Sequence, residues 1–215
     1  MNKGLTLRNV CILRGQSPLI EVDYNISEGE VLTVMGPSGV GKSTLLAFIT
    51  GTLPSGFKGM GQVLLDGEDI TSRPPHQRHI GILFQDDLLF PHMSVGANLA
   101  FGMPAGGTMT ARRAKIDTAL ADVGLSGYSD RDPATLSGGQ KARVALVRML
   151  LSNPSALLLD EAFSRLDAEL RAQVRDLVFR VAKERKLPVL MVTHDGEDAK
   201  AAGGKIIELE SLTKN

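Results

Sequence analysis

The sequence predicts an α/β protein with a mainly parallel sheet, an antiparallel β part near the N-terminus and a helical subdomain set between two stretches of core. Three observations carry this. Short continuous apolar runs at 31–35, 156–159 and 188–192 read as buried strands, and helical segments separate them, the alternation that builds parallel sheets. Residues 5–10 and 20–26 have the alternating character of half-exposed strands. The stretches 110–123 and 138–151 carry helical periodicity with few breakers, so the middle of the chain is mostly helical.

In chain order, Leu5, Leu7 and Asn9 alternate with Thr6, Arg8 and Val10, and residues 20–26 repeat that character before a turn at 27–30. Strand 31–35 meets a glycine-rich loop, which leads into helical spacing at 43–50. Strands at 63–66 and 80–84 precede the helical middle, in which residues 103–110, rich in Gly, Pro and Thr, form the expected mobile loop. From residue 156 the pattern returns to strand, then a long helix at 167–186, a strand at 188–193, a short helix and a strand at 205–209. The expected organisation is one domain over 1–215, with 1–85 and 151–215 as the α/β core and 86–150 as the helical subdomain.

Composition narrows the function classes. With 215 residues, 43% of them hydrophobic, the chain can bury the core of one large domain. Lys plus Arg and Asp plus Glu balance at 24 each, so no bulk charge draws it to nucleic acid, which is not an expected partner. The single Cys11 excludes an internal disulfide, and residues 1–10 lack a signal-peptide pattern, which makes a reducing cytoplasm the expected compartment. The apolar runs fall far short of the ~20 residues that span a bilayer.

The chemistry begins at Gly36-Pro37-Ser38-Gly39-Val40-Gly41-Lys42-Ser43, between a predicted strand and a predicted helix. Glycines allow the backbone angles that turn successive N–H groups inward, and the helix N-terminus adds positive potential. Lys42 has the reach for terminal phosphates, and the Ser43 hydroxyl suits Mg²⁺. A second strand, Leu157-Leu158-Leu159, ends in Asp160-Glu161. Side chains alternate along a strand, so only one of these carboxylates can face a metal. Asp160 is the candidate Mg²⁺ partner, and Glu161, beyond the strand end, is the candidate general base for an attacking water.

Leu136-Ser137-Gly138-Gly139-Gln140, directly ahead of a helix, matches the signature sequence of ABC ATPases, and from there the chain resembles that family from Leu5 to Ile207. Ser137 can cap its helix while the two glycines let backbone N–H groups approach an anion. The resemblance implies an ABC-type ATPase that binds ATP and Mg²⁺ as a head-to-tail dimer. In that arrangement residues 36–43 and Thr44 of one copy face Ser137, Gly138, Gly139 and Gln140 of the other. It also implies that Gln85 is the Q-loop glutamine near metal and water, that Ser164-Arg165-Leu166-Asp167 is the loop contacting the opposite copy, and that His194 is the switch histidine at the γ-phosphate.

The stretch Phe84-Gln85-Asp86-Asp87-Leu88-Leu89-Phe90-Pro91-His92-Met93-Ser94-Val95, with Asn98 and Phe101-Gly102, is similar to the Q-loop region of bacterial binding-protein-dependent importers, including the compact thiamine type. That resemblance implies membrane permease subunits docking near residues 85–102, a periplasmic or lipoprotein solute-binding protein as indirect partner, and a peripheral position on the cytoplasmic face of the inner or cell membrane. Leu88, Leu89, Phe90 and Met93 serve either as docking patch or as core of the helical part. An ABC exporter ATPase and a non-transport ABC ATPase are the alternatives. Larger importer ATPases continue into a C-terminal regulatory domain, and regulation by one is not expected here. Ala162 and Arg165 stand where the family more often has Pro and Ala. Arg14, before Gly15, stands where an aromatic residue more often stacks on adenine, and its guanidinium is the expected substitute platform. His76 and His79 are expected as solvated loop residues without a metal, and Arg112, Arg113 and Lys115 as a solvated helix face.

Overall fold

The computed structural model describes residues 3–209. Residues 1–2 and 210–215, the ends of the domain expected from the sequence, lie outside the described residues. The chain divides into two compact units, one of residues 1–82, 155–161 and 179–215, the other of residues 83–154 and 162–178.

The first unit holds two sheets. Strands β1 (Gly4–Arg14), β2 (Ser17–Ser27), β3 (Val31–Met35), β4 (Phe57–Leu65) and β5 (Glu68–Asp69) come from its N-terminal part, with helix α1 (Lys42–Thr50) after β3. Strands β6 (Ile80–Leu83), β7 (Ala156–Asp160), β8 (Val189–Thr193) and β9 (Lys205–Glu208) complete it. One sheet has the order β2-β1-β4-β5 with antiparallel pairs, the other β6-β7-β8-β3-β9, in which β7, β8, β3 and β9 run parallel. Strands β7 and β8 read as uninterrupted apolar runs because both faces are covered: Leu157, Leu158, Leu159, Leu190 and Val192 are all 0% exposed.

The alternation expected at 5–10 breaks at one point. A register shift between Leu7 and Val10, with Asn9 at φ 47°, puts Val10 and Ile12 on the buried side with Leu5 and Leu7 and leaves Asn9 exposed. This bulged ladder supplies much of the core in which α1 is seated, since Leu5, Leu7, Ile12, Ile20 and Ile26 pack in one cluster with Leu45, Leu46 and Ile49. His76 and His79 are exposed, as expected, and no group of three or more His, Cys, Asp or Glu among the described residues could hold a metal.

The second unit contains α2 (Val95–Gly102), α3 (Met109–Asp122), α4 (Gly138–Leu151) and the first part of α5 (Ala168–Glu184). Ser94, Thr108 and Ser137 cap the first three through their hydroxyls. Helix α3 begins at Met109, so the loop expected to reach 110 closes earlier. Arg112, expected on a solvated face, instead donates to the carbonyls of Ala100, Pro104 and Gly106 and pins that loop. Arg113 likewise pairs with Asp117 and Asp130, because both carboxylates lie within reach of its fork. Asn98, 0% exposed, accepts from the Phe90 N–H and donates to the carbonyls of Phe90, Met93 and Ser94, fixing the segment ahead of α2. Of the apolar residues there, Leu88 and Phe101 are exposed while Leu89, Phe90 and Met93 are half-buried, with the Phe90 and Phe101 rings edge to face at 4.8 Å.

Candidate nucleotide site

Helix α1 starts differently from its neighbours. Its N-cap is Gly41 and no side chain caps it, whereas α2, α3, α4 and α6 (Gly196–Ala202) each begin with a side-chain acceptor. The amides of that turn and the positive end of the helix are therefore left for an external anion. Gly39 and Gly41 have φ of 82° and 106°, and a Cβ on Gly41 would lie 2.8 Å from Leu19 Cδ2. The loop thus needs glycine at 41 for packing and left-handed backbone, while at 39 the surroundings are open and only the backbone angle demands it.

Lys42, 5% exposed, donates from Nζ to the carbonyls of Gly36 at 2.7 Å and Pro37 at 3.0 Å. The same ammonium lies 3.7 Å from Glu161 Oε1. A buried cation tied to main-chain carbonyls has few rearrangements open to it, and this one folds back on the first two residues of the glycine-rich loop. Ser43 Oγ donates to Asp160 Oδ1 at 3.4 Å. Burial pushes the Asp160 carboxyl above its ordinary value and the charge of Glu161 pushes it further, while the Ser43 hydroxyl and Lys42 pull it back. Its carboxylate is held at a cost that a divalent cation would relieve.

Glu161 follows the end of β7 with φ 47°, a strained value for a non-glycine residue, and its N–H is held by the Val192 carbonyl at 3.0 Å. That kink turns Glu161 away from the alternation that would bury it. His194, after β8, places Nδ1 3.2 Å from Glu161 Oε1 and is itself largely exposed. Lys42, Ser43, Asp160, Glu161 and His194 therefore converge in the first unit, as three parallel strands deliver them at the same end of one sheet. The donor set, one hydroxyl and one carboxylate beside a phosphate loop, fits Mg²⁺, which takes few protein ligands and completes its shell with phosphate and water.

Other expected site residues lie elsewhere. Gln85 is exposed in the second unit, as are Ser137 and Gly138. There Ser137 and Gln140 form a reciprocal cap: Ser137 Oγ accepts from the Gln140 N–H, and Gln140 Oε1 accepts from the Ser137 N–H at 3.0 Å. Gln140 Nε2 also donates to the Tyr128 hydroxyl, and Arg131 stacks on the Tyr128 ring at 3.9 Å. A Cβ on Gly139 would strike Leu170 at 2.3 Å, whereas one on Gly138 would meet nothing closer than 4.0 Å. Arg14 is exposed at the β1–β2 turn, opposite Phe57 on β4, and its side chain has no hydrogen-bond or ion-pair partner among the described residues.

The profile of the ABC transporter family matches residues 19–164, more than half of the chain. The chain belongs to the ABC transporter family. It is 45% identical over 212 residues to an uncharacterized ABC transporter ATP-binding protein of Escherichia coli (strain K12), covering 98% of this chain and 97% of that one. It is 41% identical to the Fe(3+) ions import ATP-binding protein of the same strain, covering 94% of this chain and 58% of that protein. With the thiamine import ATP-binding protein of Vibrio parahaemolyticus it shares 40% identity, over 92% of this chain and 88% of that one. The fold is accordingly the P-loop ATPase fold of ABC ATP-binding proteins, and its family binds ATP. No helix among the described residues is long and apolar enough to cross a membrane.

Sequence reading missed Tyr128, Arg148 and Arg78, which act on main chain or on other side chains and leave no motif of their own. The one available signal was an arginine, Arg148, set among the apolar residues Leu146, Val147, Met149 and Leu150 of α4.

Proposed function

We propose that this chain is the ATP-hydrolysing subunit of a solute importer, working as a head-to-tail dimer that binds two ATP molecules and drives separate membrane permease subunits. The observation that carries the reading is the uncapped N-terminus of α1 with buried Lys42, set beside Asp160, Glu161 and His194. A phosphate together with a divalent cation would answer both the uncapped amides of α1 and the buried Asp160 carboxylate.

The backbone amides of residues 39–43 and the Lys42 ammonium hold the β- and γ-phosphates, with Thr44 next along the helix. Ser43 and Asp160 hold Mg²⁺ with Gln85, and the ion supplies charge neutralisation at the phosphate oxygens. Glu161 takes the proton of the water that attacks the γ-phosphorus. His194, bonded to the Glu161 carboxylate, orients it and reaches the γ-phosphate. Water attack breaks the bond between the γ-phosphorus and the bridging oxygen, giving ADP and inorganic phosphate. Ser137, Gly138, Gly139 and Gln140 of the second copy close the site. The open space around Gly138 supports that role, since nothing in its own chain needs a glycine there. Arg14 lies over the adenine ring.

The exposed and half-buried apolar residues Leu88, Phe90, Met93 and Phe101 form the groove for a permease segment on the cytoplasmic face of the membrane, with a solute-binding protein on the far side. The names of the iron(III) and thiamine relatives support import over export. Glu161→Gln tests the chemistry: the variant binds ATP with Mg²⁺, does not hydrolyse it and accumulates as a dimer on size-exclusion chromatography. Hydrolysis at the parent rate removes Glu161 from its role.

A further inference from the structure

We infer that Arg165, together with Arg148, is a positioning residue for Gln85, an inference that rests on the place the proposed function gives Gln85 beside the metal and the attacking water. The Gln85 side chain is exposed and has no hydrogen-bond partner among the described residues, so its position is set by whatever holds the backbone that follows it. Two arginines hold that backbone from different elements of the second unit. Arg148, on α4, donates to the Leu88 carbonyl at 2.8 Å and the Asp87 carbonyl at 3.1 Å. Arg165, in the turn between Ser164 and Asp167, donates from Nη1 to the carboxylate of Asp86.

The charges around this tie are arranged for it. Asp87 is half-buried, and desolvation pushes its carboxyl up, with Asp86 adding to the push, while Lys141, Arg148 and Arg165 draw it down. Two adjacent acids after Gln85 are thus opposed by two cations on α4, the helix that Ser137 caps, and by one in the 164–167 turn. A planar fork aimed at two successive carbonyls fixes direction as well as distance, which a lysine would not. Arg165 and Asp86 are both well exposed, with 60% and 50% of their side-chain surface accessible, so their pair adds little to global stability. Its effect falls on the loop. A catalytic group displaced by a fraction of its working distance loses rate out of proportion to any loss of stability.

The consequence is that the turn at 164–167 and the glutamine move together. Whatever the 164–167 turn touches is felt at residue 85 through one ion pair, and at position 165 an alanine would carry no such signal.

The test uses the full chain and a double-mutant cycle with Gln85→Ala. Arg165→Ala lowers kcat about three- to ten-fold and raises the Mg²⁺ concentration needed for half the maximal rate. Binding of a fluorescent ATP analogue without Mg²⁺ and the thermal midpoint stay unchanged, and amide exchange over residues 84–88 quickens in the nucleotide-free protein. Combined with Gln85→Ala, Arg165→Ala costs nothing further, because the group it positions is gone. The charge swap Asp86→Arg with Arg165→Asp recovers most of the rate. Fully additive losses, or unchanged exchange over 84–88, overturn the inference. If Gln85→Ala is slow while Arg165→Ala is as fast as the parent, the positioning role alone is lost. If Gln85→Ala hydrolyses at the parent rate, the role of Gln85 falls and the inference falls with it.

Discussion

Arg78 is the buried cation on which the seat of α1 depends, and its removal carries a large stability effect. It is 5% exposed and donates to four main-chain carbonyls: Phe48 at 2.9 Å, Ile49 at 2.8 Å, Arg73 at 2.8 Å, and Thr71. Two of these belong to the last turn of α1, where a cation also meets the negative end of the helix. Burial pulls the guanidinium pKa down and the charge of Asp69 partly restores it. Hydrogen bonds to a charged group contribute about 1.5–3 kcal/mol each, and the desolvation of the guanidinium, several kcal/mol, is set against them. Arg78→Met therefore removes the guanidinium donor from four carbonyls, of which Phe48 keeps the Gly51 N–H at 3.2 Å, and destabilises by roughly 3–5 kcal/mol. For a chain of this size that is a fall of about 6–20 °C in thermal midpoint. Arg78→Lys keeps the charge but not the fork, and lands between. Gly51→Ala probes the same spot from the other side, since its Cβ would sit 2.7 Å from the Arg78 guanidinium carbon on a backbone with φ 81°. Thermal and urea unfolding of the nucleotide-free protein decide it. A fall of less than about 2 °C for Arg78→Met refutes the reasoning.

Other sites give sharper functional readouts. Asp160 has a folded-state pKa raised above its ordinary value, so its ionised form is a burden at neutral pH that fades as pH falls through the raised pKa to below the ordinary one. Asp160→Asn raises the thermal midpoint of the nucleotide-free protein near neutral pH, loses that advantage at pH about 4, and removes Mg²⁺-dependent hydrolysis; equal midpoints at neutral pH sink the assignment. Ser137→Arg loses its helix cap, at about 1 kcal/mol, and blocks hydrolysis while nucleotide binding survives, whereas Lys42→Ala loses binding itself. Equal loss of affinity in the two variants argues against a shared site. Arg14→Ala weakens ATP binding only a few-fold by calorimetry, in keeping with roughly 0.5–1 kcal/mol for an exposed cation on a π-face, and Arg14→Tyr restores it; parent affinity in Arg14→Ala removes the platform.

The elements that carry the catalytic side chains were legible because their burial leaves a plain trace. Strands β3, β7 and β8 are almost wholly buried and mainly apolar, and β7 ends in Asp160, a carboxylate that no buried strand would keep without a use for it. What stayed hidden was set by geometry that residue type does not encode. The first half of β4 is Gly-rich and mostly exposed, so a buried apolar run begins to show only at Val63. Helix α2 is eight residues long and apolar on several sides, which leaves no periodicity to detect. The bulge at Asn9 reverses the face of every later residue in β1, and one inserted residue has no signature in a single sequence. Residues 162–178 group with the second unit, although in the sequence they look like a continuation of the strand-helix alternation.

Glycines make the division between what folding fixes and what the ligand fixes most visible. The sequence shows five glycines in two motifs and assigns all of them to phosphate binding, yet their surroundings differ. Gly36 would bring a Cβ within 2.9 Å of the Leu209 carbonyl, Gly41 within 2.8 Å of Leu19, and Gly139 within 2.3 Å of Leu170. Those three are required by their own chain, whether or not a nucleotide binds. Gly39 and Gly138 have open space where a side chain would go, and at Gly138 not even a positive φ calls for glycine. Packing explains the first group and the backbone angle explains Gly39, which leaves Gly138 as the glycine that only the proposed approach of an external group accounts for. Gly138→Ala thus separates the two causes. The Cβ comes no closer than 4.0 Å to its own chain, an unstrained distance, and alanine favours the helix it starts, so the fold should hold or gain slightly, by up to about 1 kcal/mol. Hydrolysis should fall nonetheless, because the added methyl stands between the α4 amides and the phosphates of the second copy's nucleotide. A variant as active as the parent would mean that no ligand approaches α4 at this point, and the composite site would lose its second half.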